Sequence, residues 1–190
     1  MQIFTLKCAV LACCLVVTGI STSLAQLSFT NSNSRLETVS HSGCAVSVVD
    51  VNFDGLDDLV RMDQGHLVNV DIQERDGNFT NYYIRDNGGG SSWAMAVADV
   101  DQNGWKDIIA DGSGGINLIK LSWNGSTITS TSTTLSNSGF FLQNATFCDV
   151  DNDGWIDLFC CDDNAASHLY RNNGSGNLVL NTSLITCLLY

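Results

Sequence analysis

No proline occurs anywhere in the chain, an unusual absence in a sequence so full of turns. Gly, Ser, Asn and Asp carry that punctuation instead. Basic residues are nearly as scarce: 8 Lys and Arg face 20 Asp and Glu, for a formal net charge of −12 over 190 residues. Such a balance argues against nucleic acid, whose phosphates need cationic patches. Sustained 3.6-residue periodicity is missing beyond the first 25 residues, which leaves no helical architecture to build. Nucleophile-elbow, zincin and kinase signatures are absent as well. Gly88-Gly89-Gly90 precedes a strand pattern and so reads as a turn, not a phosphate cradle. His41, His66 and His168 are isolated, with no spacing that makes a catalytic pair.

Residues 1–25 read as an export signal. Lys7 supplies the positive end, Cys8 to Val17 the apolar run, and Ser23-Leu24-Ala25 a small-x-small cleavage site before Gln26. The run falls short of the ~20 apolar residues that span a membrane, so no stable span is expected once it is removed. An uncleaved anchor and a lipid on Cys13 are the alternatives. The expected location is extracellular or on the cell surface, and periplasmic or on the outer surface in a bacterium. Five cysteines remain after removal: Cys44, Cys148, Cys160, Cys161 and Cys187. An odd set in an exported protein leaves a free or intermolecular thiol. Cys148 and Cys160 flank one loop closely enough to staple it, and no C-x-x-C spacing points to zinc. Residues 26–190 suffice for one domain with a core.

What the chain does have is one acidic loop written three times. Asp50-Val51-Asn52-Phe53-Asp54-Gly55-Leu56-Asp57-Asp58, Asp99-Val100-Asp101-Gln102-Asn103-Gly104-Trp105-Lys106-Asp107 and Asp149-Val150-Asp151-Asn152-Asp153-Gly154-Trp155-Ile156-Asp157 share the pattern D-x-[DN]-x-[DN]-G-x-x-D, with first aspartates 49 and 50 residues apart. Eleven of the acids lie within these loops. A short apolar or alternating run precedes each copy (Ala45–Val49, Ala94–Ala98, Asn144–Cys148) and an apolar pair follows it (Leu59-Val60, Ile108-Ile109, Leu158-Phe159). Asp76-Gly77, Asn124-Gly125 and Asn173-Gly174 then mark hairpins between further runs, since these residues tolerate positive φ. The Ser/Thr-rich stretch 126–138 is β-branched enough to form an outer edge strand. Four short antiparallel strands per unit, with units at about 40–88, 89–138 and 139–187, describe an all-β, propeller-type array of three four-stranded blades.

The loop chemistry suits a hard cation. Side-chain oxygens at the first, third, fifth and ninth positions, with a backbone carbonyl at the seventh, match the 6–8 oxygens and flexible geometry of calcium better than the strict octahedron of magnesium. An EF-hand would need glutamate at position 12, where Arg61, Ala110 and Cys160 stand, and helical flanks. The alternative is that the Asp and Asn side chains cap tight turns through their own backbone, with no metal. Trp105 and Trp155, just after the loop glycines, are expected to pack between blades.

A loop of this form between two strands, repeated every ~50 residues, resembles the FG-GAP/VCBS-type repeats of integrin α-subunit propellers and many secreted bacterial proteins. The resemblance covers residues 40 to 185 and implies three calcium sites. Asp50, Asn52, Asp54, the Leu56 carbonyl and Asp58 would serve the first. Asp99, Asp101, Asn103, the Trp105 carbonyl and Asp107 would serve the second, and Asp149, Asp151, Asp153, the Trp155 carbonyl and Asp157 the third. The Phe-Gly and Gly-Ala-Pro elements that name the family are missing here. The family closes rings of about seven blades, so the resemblance implies a fragment of a longer propeller, an open array, or a ring completed by several chains. The expected function is a non-enzymatic module that binds or adheres to an extracellular protein or glycan. The alternatives are the propeller part of a carbohydrate-active lyase or hydrolase, and a truncated remnant of a longer gene.

Overall fold

The computed structural model describes residues 29–38, 41–64, 66–88, 93–112, 114–135 and 140–183. The expected signal segment and Cys187 lie outside them. Two compact units divide the chain, Met1–Asn31 and Ser32–Tyr190, and all the strands belong to the second.

The strands form three four-stranded antiparallel meanders. The first comprises β1 (Ser42–Val49), β2 (Asp58–Asp63), β3 (Leu67–Gln73) and β4 (Phe79–Asp86). The second comprises β5 (Met95–Ala98), β6 (Asp107–Gly112), β7 (Gly115–Trp123) and β8 (Ile128–Thr134). The third comprises β9 (Leu142–Cys148), β10 (Asp157–Asp162), β11 (His168–Asn172) and β12 (Leu178–Asn181). Each acidic loop joins the first strand of its sheet to the second. The Ser/Thr run becomes β8, at the edge of its sheet, as its β-branched content predicts. The sheets stack as propeller blades do, and the ring is not closed among the described residues.

Burial follows the two-residue period of a strand. Val60, Met62, Val68 and Val70 of the first sheet pack against Ile108, Ala110, Ile119 and Leu121 of the second. The alternate residues of the second sheet, Ile109, Ile116 and Leu118, turn the other way and pack against Leu142, Leu158, Cys160 and Tyr170 of the third. The middle sheet is therefore apolar on both faces. On the first sheet's opposite face, buried Arg61 reaches buried Asp71 with both Nε (2.5 Å) and Nη2 (2.9 Å), and Thr38 and Asn81 complete the cluster. A bidentate pair of this kind carries its own neutralisation, which a lone buried charge would lack.

The third sheet corrects one expectation. Cys148 lies opposite Asp157 in the β9–β10 register and Cys160 lies opposite Ala145, so the two thiols point to different faces. Cys148 is exposed, Cys160 is buried in the core, and both are free. No disulfide joins these two cysteines across the third loop.

Candidate functional site: three stapled acidic loops and an aromatic cleft

The three loops share one hydrogen-bond plan. The first-position aspartate accepts from the backbone N–H groups of the fifth and sixth residues: Asp50 from Asp54 and Gly55 (3.1 and 2.9 Å), Asp99 from Asn103 and Gly104 (3.1 and 3.0 Å), Asp149 from Asp153 and Gly154 (3.1 and 2.9 Å). The fifth-position oxygen accepts from the seventh residue: Asp54 from Leu56, Asn103 from Trp105, Asp153 from Trp155. These are Asx-type turns. The chain reverses at two left-handed positions, the glycine (φ 88, 85 and 87°) and the fourth residue, Phe53, Gln102 or Asn152 (φ 60, 57 and 58°). Glycine adopts that conformation freely, whereas Phe53 holds it against a steric cost of ~1–2 kcal/mol.

The ninth-position aspartate has a different task. Asp58, Asp107 and Asp157 are fully buried. One oxygen of each accepts the N–H of the loop's second residue: Val51 at 2.8 Å, Val100 at 3.0 Å, Val150 at 3.1 Å. The other accepts an N–H from the third strand of the same sheet: Gln73 at 2.8 Å, Leu121 at 2.9 Å, Asn172 at 2.8 Å. Each carboxylate thus staples its loop to a strand beyond the adjoining one. Burial pushes the Asp58 carboxyl above its usual range. It pushes Asp107 up to about 7, with repulsion from Asp101 and Asp99 adding to the shift and the two N–H donors opposing it.

The loops differ in how their charge is met. In the second, carboxylate oxygens of Asp99, Asp101 and Asp107 lie within 4.8 Å of one another. Lys120 Nζ stands 3.7 Å from Asp101 Oδ2, while Asp101 Oδ1 is buried with no hydrogen-bond partner. In the third, Asp149, Asp151 and Asp153 gather equally closely. There the Arg171 guanidinium contacts Asp151 and approaches Asp153 (3.9 Å) and Asp157 (3.2 Å). In the first, Asn52 replaces an acid; its amide accepts from the Asp54 N–H and donates to Asp54 Oδ2 (both 3.1 Å). Leu56, Trp105 and Trp155, the expected carbonyl donors, follow the loop glycines and are half-buried.

Successive loops are tied to each other. Lys106 N–H donates to the Val51 carbonyl (2.9 Å), Asn172 Nδ2 to the Val100 carbonyl (2.8 Å) and Gln102 Nε2 to the Gly154 carbonyl (2.9 Å). Lys106 Nζ also sits 4.2 Å from the centre of the Phe53 ring, a cation–π contact. Between the first and second sheets lies a cleft of about 200 Å³ lined by Asn52, Ile72, Tyr82, Trp105 and Trp123. Trp105 and Trp123 stack with centroids 5.8 Å apart and planes 7° from parallel, and Tyr82 meets Trp123 edge-on at 6.3 Å. The expected inter-blade packing of Trp105 is present. Sequence reading missed Tyr82 and Trp123 as its companions, because only the strand register brings them to the loop. It also missed Lys120 and Arg171, whose signal was their place one residue before the stapled N–H in each third strand.

Residues 149–187 match the model of the FG-GAP-like repeat. No curated protein sequence matches the chain. Among solved structures, a lectin from Agrocybe aegerita, described as recognising non-reducing terminal N-acetylglucosamine, superposes with a TM-score of 0.52 at 18% identity. The alignment covers 70% of this chain and 36% of the lectin, so the chain spans about a third of that neighbour's length. At that identity the likeness concerns the fold. The matched residues take in the acidic loop and β10 to β12 of the third sheet, and the first two sheets reproduce that loop, its staple and its strand order.

Proposed function

We propose that this chain is an exported, calcium-stabilised repeat module that binds a glycan or protein ligand without turning it over. The carrying observation is the cleft between the first two sheets. Its walls are three aromatic rings and Ile72, and its polar group, Asn52, belongs to an acidic loop. Aromatic walls with one placed polar group are the kind of lining small-ligand sites use, here in an open recess smaller than a drug-sized pocket. Its volume suits a single sugar ring lying on the exposed face of Trp123. The lectin neighbour makes terminal N-acetylglucosamine the first ligand to try.

The loops' donor set fits calcium best in the second repeat. Carboxylates of Asp99, Asp101 and Asp107 converge there, and the orphaned Asp101 oxygen would gain the partner it lacks. Asp50, Asp54, Asp58 and the Asn52 amide would serve the first. A bound ion would supply positive charge to carboxylates that otherwise repel one another. Because Asn52 and Trp105 sit in these loops, holding the loops rigid also holds the cleft. Further sheets, from a longer chain or other copies, would complete a ring.

The test is a glycan array followed by calorimetry on the calcium-loaded mature chain. Binding without product release is expected, with at least a tenfold loss in Trp123→Ala and on chelation. Release of a hydrolysed or eliminated product, or binding unaffected by Trp123→Ala, would refute the reading.

A further inference from the structure

The staple places one strand residue of each repeat in equivalent positions. Gln73, Leu121 and Asn172 donate their N–H groups to Asp58, Asp107 and Asp157. The residues just before them, Ile72, Lys120 and Arg171, all turn toward the third position of their own loop. Ile72 lines the cleft with Asn52, Lys120 pairs with Asp101, and Arg171 pairs with Asp151. The two positions match in charge: a neutral residue faces a neutral one, and each acid faces a base.

The three repeats nevertheless differ in reach. Lysine is a point charge on a flexible stem, and Lys120 touches one oxygen of one carboxylate, leaving the other unpartnered. Arg171 presents a planar fork and addresses three carboxylates at once, Asp151, Asp153 and Asp157. Its Nε, although 3.2 Å from Asp157, has no aligned hydrogen bond, so that contact is purely coulombic. The guanidinium lies where the acids of the third loop converge, and an ion there would have to displace it.

We infer that Arg171 is the resident cation of the third loop, so that the third repeat is closed by a side chain and not by a divalent ion. The family-like loop sequence is retained, but this donor set does not fit a metal while Arg171 is in place. The chain then binds at most two ions. This rests on the calcium reading only for the first two loops; Arg171 can be tested without it.

Ion stoichiometry on the mature chain is measured by calorimetry with calcium and by terbium emission sensitised through tryptophan. Wild type is expected to give at most two ions and a terbium emission, from Trp105 beside the second loop, that Trp155→Phe leaves unchanged. Arg171→Gln should gain one ion and an increment of emission that Trp155→Phe removes, melt lower than wild type in chelator, and recover that loss in millimolar calcium. Asp151→Asn in the wild-type background should leave the stoichiometry unchanged. Three ions in wild type, one fewer in Asp151→Asn, or no gain in a folded Arg171→Gln would overturn the inference. A wild type that binds none, with a gain of one in Arg171→Gln, would remove the calcium reading of the first two loops and leave Arg171's role standing.

Discussion

Replacing Asp107 by alanine should destabilise the ion-free protein by an amount that shrinks as pH rises. Two opposing effects set the size. The side chain accepts the N–H groups of Val100 and Leu121, both fully buried, and truncation leaves two orphaned donors at ~1–3 kcal/mol each. Against that, burial and the neighbouring Asp101 and Asp99 raise its pKa from 3.8 to about 7, so the folded state holds this proton more tightly than the unfolded chain. Stability from this group is complete below the unfolded value and is lost as pH climbs through the folded one. A rise of that size corresponds to about 4 kcal/mol at most. Urea denaturation in ion-stripped buffer should therefore show a wild type that weakens from pH 4 to pH 8, and a variant with a shallower slope, since Asp58 and Asp111 are raised by burial too. The cost of Asp107→Ala is then several kcal/mol at the acid end and small or reversed at pH 8. A cost that is constant, or greater at pH 8, would refute the reasoning. Calcium should flatten the wild-type slope, because an ion favours the deprotonated carboxyl.

Millimolar calcium should raise the melting temperature: an extracellular-type site with Kd near 10⁻⁴ M contributes ~1.4 kcal/mol at ten times that concentration. Scanning calorimetry with and without chelator checks this, and coincident melts would remove the ions. Gly112→Ala should cost at least ~1–3 kcal/mol by overpacking, since an added Cβ would stand 2.5 Å from the side-chain nitrogens of Asn117 and Asn87 and 2.6 Å from the Asn87 carbonyl; chemical denaturation reads the loss. Thiol labelling of the native protein should mark exposed Cys148 quickly and spare Cys160, which is buried and has its thiol pKa pushed well above the usual range. Equal rates would mean that the third sheet opens readily.

Much of this fold is legible without coordinates, because its signals are local. Alternation in Leu67–Gln73 and Ile116–Trp123, with Asp-Gly and Asn-Gly between strands, depends only on neighbours along the chain. The loop glycine is legible for the same reason. What escaped is non-local. Asp58, Asp107 and Asp157 look like ligands in a motif, yet each is also a backbone staple reaching a strand about fifteen residues on. Arg171 meets Asp151 only once β10 and β11 are paired. Cys148 and Cys160 are close in sequence, but strand parity sends them to opposite faces. The left-handed turn at Phe53 runs against what an aromatic residue prefers.

Ordinary sheets guard against misalignment because sliding a strand by one residue drives greasy side chains into water. In the middle sheet that guard is weaker, because Ile108 and Ile109, like Leu118 and Ile119, would exchange one oily interior for another. Correct alignment there relies more on polar anchors at the ends of the strands. Asp107 clamps one end, and the snug fit of Gly112 against Asn87 and Asn117 gauges the other. Loss of either therefore removes an alignment device as well as the stability it contributes.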